Sequence, residues 1–173
     1  MVKVIYEDNH LLVVEKPINI LSQADNTNDI DMINILKKYL KEKYNKPGNV
    51  FVGLIHRLDR PVGGVMVFAK TSKCASRLSE QVRNKPMKKT YKAVIHKTMD
   101  KKEDTLRDYL YKDKKTNTVK VVSKNHKEAK EAILSYKTIS KNKDFSLVEV
   151  DLKTGRAHQI RVQFSSRNYP LYG

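Results

Sequence analysis

Apolar and polar positions alternate from the first residues onward. Residues 2–6 and 11–15 both read with a period of two, the mark of half-buried strands, and Glu7-Asp8-Asn9-His10 between them supplies a turn. The pair predicts a hairpin that delivers Lys16-Pro17 at its end. The period then lengthens. Met32, Ile33, Leu36, Tyr39, Leu40 and Tyr44 recur at three and four, which predicts a helix capped by Asp29, running to about Tyr44, with Lys37, Lys38, Lys41 and Lys43 in solvent. Residues 50–52 predict a short strand and residues 65–69 a buried one, so the segment joining them, His56 to Gly64, lies between two strands. Thr71 or Ser72 opens a second helix with Ala75, Leu78 and Val82 inward and a stop ahead of Pro86, whose missing N–H ends helical bonding. Residues 90–96, 118–123, 132–139 and 145–152 predict strands separated by charged turns, most of them antiparallel neighbours. Thr154-Gly155 breaks the last strand, and Ala157, Ile160, Arg161 and Phe164 predict a terminal helix. The pattern has no internal repeat. The expected fold class is α+β, a mixed and largely antiparallel sheet with a few packed helices, forming a single domain over residues 1–173.

Charge adds a partner to this picture. Lys and Arg number 35 against 19 Asp and Glu, a net charge of +16, which points to a polyanion, with nucleic acid the leading candidate. The plainer alternative is a solvated surface in a chain generally rich in Lys, Asn and Ile. Residues 85–130 hold fifteen Lys or Arg and six Asp or Glu, which predicts a local basic surface. The single cysteine, Cys74, makes no intrachain disulfide, is expected to be buried near the start of the second helix, and suits a reducing cytoplasm. No run approaches the ~18 apolar residues of a membrane span, so no membrane partner is expected.

The chemistry-bearing residues lie in two segments. His56-Arg57-Leu58-Asp59-Arg60 sets one carboxylate between two guanidiniums ahead of Gly63-Gly64. Positive neighbours favour the ionised form of a carboxylate, which makes Asp59 a candidate nucleophile or base. The second segment, Lys153-Thr154-Gly155-Arg156-Ala157-His158-Gln159-Ile160-Arg161, crowds Arg156, His158, Gln159 and Arg161 at a helix start, where an anion such as a phosphate or the Asp59 carboxylate is expected to be held. Each residue also has an ordinary reading: Asp59 in a salt-bridged turn, Tyr91 in a strand core, Arg161 in a helix-surface ion pair, His158 as a capping or packing group. His96 and His126 suggest nothing catalytic.

Together the segments resemble the RluA-type RNA pseudouridine synthases, which isomerise specific uridines in ribosomal or transfer RNA. The resemblance rests on Glu15-Lys16-Pro17, on residues 56–60 followed by Gly64 and the strand ending Phe68-Ala69-Lys70, on Lys89-Thr90-Tyr91-Lys92-Ala93, and on residues 154–156 with 158–161, all in the family's order. It implies that Asp59 is the catalytic aspartate, whether by attacking the sugar or by assisting proton removal. It implies that Tyr91 stacks on the target base and takes part in its deprotonation, and that Arg161 pairs with the catalytic carboxylate. Arg57 would fill the stack after the uridine leaves, Ile160 would pack near the base, and His56, Arg60 and Arg156 would complete the substrate-binding set. His56 is also expected to order its own loop. An isomerisation changes no redox state, so no metal and no organic cofactor are expected, and the chain carries no CxxC pair, HExxH segment, Walker loop or GxGxxG fingerprint. The implied partner is RNA, with no obligatory protein partner. Val62-Gly63-Gly64 departs from the family's commoner Thr-Ser-Gly without removing a residue assigned a chemical role. The pattern starts at residue 2, leaving no S4-type RNA-binding domain ahead of it, and the chain stops short of the family's Gly-Asp segment, so the C-terminal part of the catalytic domain is expected to be missing. The alternative from another class is a noncatalytic RNA-binding or RNA-folding factor that retains the fold.

Overall fold

Two antiparallel sheets, rather than one, organise the chain. The computed structural model describes residues 2–84 and 87–173, and the chain divides into two compact units, residues 1–85 and 86–173. The expected helix stop at Pro86 lies outside the described residues.

The first unit runs β1 (Lys3–Glu7), β2 (Leu11–Lys16), α1 (Met32–Lys43), β3 (Gly53–Leu54), β4 (Gly64–Ala69) and α2 (Ser72–Asn84), with sheet order β1-β2-β4-β3. The β1–β2 hairpin forms as its alternation predicts. Leu12, Val14, Met66 and Phe68 are buried from β2 and β4, and Met32, Leu36 and Leu40 from α1. The cap of α1 is Asp31, whose side chain accepts from the Asn34 N–H at 3.1 Å, and not Asp29. An N-cap must sit within reach of the N–H three residues on, and Asp29 is two residues too early. Tyr39 and Tyr44, at the edge of the expected apolar stripe, put their hydroxyls on Glu7 instead, at 2.8 and 2.6 Å, and Tyr44 is exposed. The strand expected at residues 50–52 forms at β3, slightly later. Thr71 caps α2 by accepting from the Cys74 N–H at 3.2 Å, and α2 packs its half-buried Cys74, Ala75, Leu78 and Val82 side toward β3 and β4. Cys74 is thus half-buried rather than buried, because no layer covers α2's flank fully.

The second unit holds β5 (Lys89–His96), β6 (Glu103–Lys112), β7 (Val119–Val122), β8 (Lys130–Lys141), β9 (Phe145–Leu152) and α3 (Gln159–Ser165), in sheet order β5-β9-β8-β6-β7. Strand β6 is absent from the sequence expectation. Its inward side alternates Leu106, Asp108 and Leu110, so a carboxylate interrupts the apolar period. Asp108 is satisfied there by a two-point bond from Arg167, at 2.8 and 3.1 Å, and by the Gln163 amide at 2.8 Å. The core of this unit gathers Ile95, Leu106, Leu134, Val148, Val150 and Phe164, with Tyr136 and Phe164 edge to face at 5.3 Å. The inward side of α3 is Gln159, Gln163 and Phe164. Of the residues whose spacing predicts the terminal helix, Ala157 lies ahead of α3, and both it and Arg161 are exposed, while α3 turns its amides inward. Among the described residues no helix is long and apolar enough to cross a membrane.

Candidate active site

The residues proposed from sequence fall into two groups, one on each unit. On the first, residues 55–63 connect β3 to β4 and carry His56, Arg57, Asp59 and Arg60. Their backbone is held from below. Ser22, 6% exposed, donates its hydroxyl to the Leu58 carbonyl at 2.7 Å and accepts the Leu58 N–H at 3.1 Å, so both polar groups of the residue before Asp59 are fixed by one side chain. The Val62 N–H donates to the Asp59 carbonyl at 3.0 Å and closes a turn, while the Asn19 N–H donates to the Arg60 carbonyl at 2.8 Å. His56 Nε2 accepts the Val67 N–H at 3.1 Å, which ties the loop to β4 and matches the ordering role expected of this histidine. Gly64 has φ +143°, a conformation that side-chained residues resist.

Lys16 is the residue that sequence reasoning left without a task. It is fully buried, and its ammonium donates to the carbonyls of Pro17, Ile20 and Arg60 at 2.9, 2.6 and 3.1 Å. Burial pushes this ammonium below the ordinary lysine value, and the negative charge of Asp59 offsets part of that shift. A signal was present: Leu12, Val14 and Lys16 share one side of β2, so period two alone puts the lysine on the buried face. Arg60 lies in the turn that the Val62 N–H closes, and its Nη1 pairs with Asp29 at 2.7 Å, ahead of α1. Asp59 is half-buried and Arg57 exposed.

On the second unit, Tyr91 lies on β5 opposite Val150 of β9. Tyr91 and Ile160 are both partly buried against the core of this unit, and Arg161 is exposed next to Ile160. The start of α3 is held by Gln159, 2% exposed, whose Oε1 accepts the Thr154 hydroxyl at 2.8 Å and the Arg156 N–H at 3.0 Å. Its Nε2 donates to the Ile133 carbonyl at 3.1 Å and to Gln163 Oε1 at 3.0 Å. Gln159 therefore fills its whole hydrogen-bonding capacity inside the fold and is not part of an anion-facing helix mouth. Arg156 is exposed, with Nε on the Glu131 carbonyl at 2.8 Å, and His158 takes a left-handed backbone, φ 49°, at the turn into α3. Among the described residues no cluster of three or more His, Cys, Asp or Glu has the geometry to hold a metal ion.

The family model described as RNA pseudouridylate synthase matches residues 10–166. The chain belongs to that family. It is 30% identical to the ribosomal large subunit pseudouridine synthase D of Borreliella burgdorferi, over 99% of this chain and 53% of that protein. It is 29% identical to the tRNA pseudouridine synthase C of Vibrio cholerae, over 100% of this chain and 72% of that one. Several curated relatives are about twice as long as this chain, which spans about half of each. The fold matches that of human RNA pseudouridylate synthase domain containing 4 with a TM-score of 0.82 at 22% identity, covering 99% of this chain and 67% of that one. The family acts on RNA.

Proposed function

We propose that this pseudouridine synthase chain isomerises uridine in ribosomal or transfer RNA, with Asp59 as the catalyst. The observation that carries the reading is the family match over residues 10–166, which contains Asp59, Tyr91 and Arg161 together. In the reaction the bond from C1′ to N1 breaks and one from C1′ to C5 forms. The C5 proton is lost and N1 gains one, so atoms and electrons balance without an oxidant. Asp59 acts on the ribose or on the proton, Arg161 pairs with its carboxylate, and Tyr91 stacks on the base. Flipping a uridine out of folded RNA costs a few kcal/mol, and stacking on an aromatic ring contributes about 1–3 kcal/mol per base, so Tyr91 with an inserted Arg57 offsets the flip. Ile160 supplies an apolar wall, and His56, Arg60 and Arg156 support the loop and the RNA backbone. Residues 1–173 belong to one catalytic domain that acts in the cytoplasm.

Tritium release from RNA labelled at uridine C5 tests the proposal. Asp59→Ala and Asp59→Asn are expected to abolish release while RNA binding persists. Undiminished release from Asp59→Ala overturns Asp59 as catalyst. Salt-dependent RNA binding by the unaltered protein with no pseudouridine formed on total cellular RNA favours the noncatalytic RNA-binding factor instead.

A further inference from the structure

The geometry points to a second RNA-contact site, a cleft at the β6–β7 end of the second sheet that takes a nucleotide flanking the modified uridine. It rests on the reading that the substrate is RNA. The cleft encloses about 280 Å³ between the β6–β7 hairpin, the approach to β8 and the loop ahead of α3. Lys112, Lys114, Lys130 and Arg156 line it against one carboxylate, Glu128, over an apolar floor at Leu110. An anion with a flat apolar part fits this composition, and a nucleotide has both.

One cation and the backbone of the hairpin tip are set in place before any ligand arrives. Arg156 is anchored through Nε to the Glu131 carbonyl at 2.8 Å. The hairpin tip is closed by the Asp113 N–H on the Thr118 carbonyl at 2.9 Å and by the Lys115 N–H on Asp113 Oδ1 at 2.8 Å. Lys112 pairs with Val119 and Leu110 with Lys130 across neighbouring strands, so these four share the cleft side of the sheet, whereas Tyr111, opposite Lys120, turns to the other side against the His126 ring at 4.4 Å.

Four cations against one carboxylate favour a polyanion over a mixed-charge protein surface. The loop that closes the cleft leads straight into α3. Three residues lie between Ala157 in the cleft and Arg161, at most about 14 Å of chain, a span that a strand covers in a few nucleotides.

The test compares two charge-matched triple variants of the full chain. Lys112→Glu with Lys114→Glu and Lys130→Glu alters the cleft, and Lys37→Glu with Lys38→Glu and Lys41→Glu alters the solvent side of α1 by the same net charge. Binding of a fluorescein-labelled, uridine-rich stem-loop RNA is read by anisotropy at increasing KCl, alongside KM and kcat for tritium release. The cleft triple is expected to raise Kd and KM about tenfold or more, with kcat and thermal midpoint unchanged, and to reduce the salt slope by about 2. The α1 triple moves them far less. Equal losses in the two triples, unchanged binding in the cleft triple, or no binding of the RNA by the unaltered protein overturns the cleft. Absent tritium release with the cleft-specific binding loss intact overturns the catalytic proposal alone.

Discussion

Lys16 shows how a charged side chain becomes part of a site without touching substrate. Three backbone carbonyls, two from residues 17–20 and one from Arg60, converge on its ammonium, so the segment after β2 and the loop that carries Asp59 share one anchor. Lys16→Met keeps the length of the stem and removes all three bonds, leaving the carbonyls without their donor. The expected cost is about 2–4 kcal/mol in urea unfolding. Ser22→Ala, which removes the clamp on both polar groups of Leu58, is expected to cost about 1–3 kcal/mol by the same measurement. A loss under about 0.5 kcal/mol for both would mean that the loop is held chiefly by packing of Leu58. Arg60, by contrast, ends in an exposed ion pair with Asp29, an arrangement that contributes little to stability.

The elements separate what pattern can and cannot tell. Asp31→Ala should destabilise the protein by about 1 kcal/mol through loss of the α1 cap, whereas Asp29→Ala should cost less than about 1 kcal/mol, and thermal unfolding of the pair ranks them. The reverse ranking would restore Asp29 as the cap. Strands β5 and β9 were legible because clean alternation faces a one-sided core. β6 was hidden because Asp108 occupies an inward position whose partners, Gln163 on α3 and Arg167 in the turn after it, lie more than fifty residues away and leave no mark on the local period. Period also assigns faces without assigning sheets, so nothing in residues 65–69 or 89–96 announced that β4 and β5 belong to different sheets. At the site, the chemical types at residues 56–60 were legible, and the heading of the Arg60 side chain was not. The burial of Lys16 was written in the parity of β2, yet a lysine at a strand end reads as a solvent-facing stop unless parity is followed to the last residue.

Across the molecule, the acid sensitivity of the first unit is concentrated in one carboxylate. Glu7, its side chain 7% exposed, accepts from Lys43, Lys70, Tyr44 and Tyr39. Burial alone raises its carboxyl, and the bonds from Lys43, Lys70, Tyr44 and Tyr39 outweigh it and bring the value down from 4.5 to about 2. A carboxyl depressed in the folded state contributes its full stability above the unfolded value, near 4.5, and loses it as pH falls toward 2. The unfolding midpoint in urea should therefore drop across that window, and Glu7→Gln should flatten the drop while lowering the midpoint at neutral pH. A pH profile identical in Glu7→Gln would place the acid sensitivity elsewhere. The gathering of Lys112, Lys114, Lys130 and Arg156 at one cleft has a kinetic consequence as well. A local positive field draws a phosphate backbone toward that face before contact is made. Encounters begin already oriented, which places the gain in the association rate and makes that rate, more than residence time, the quantity that added salt removes.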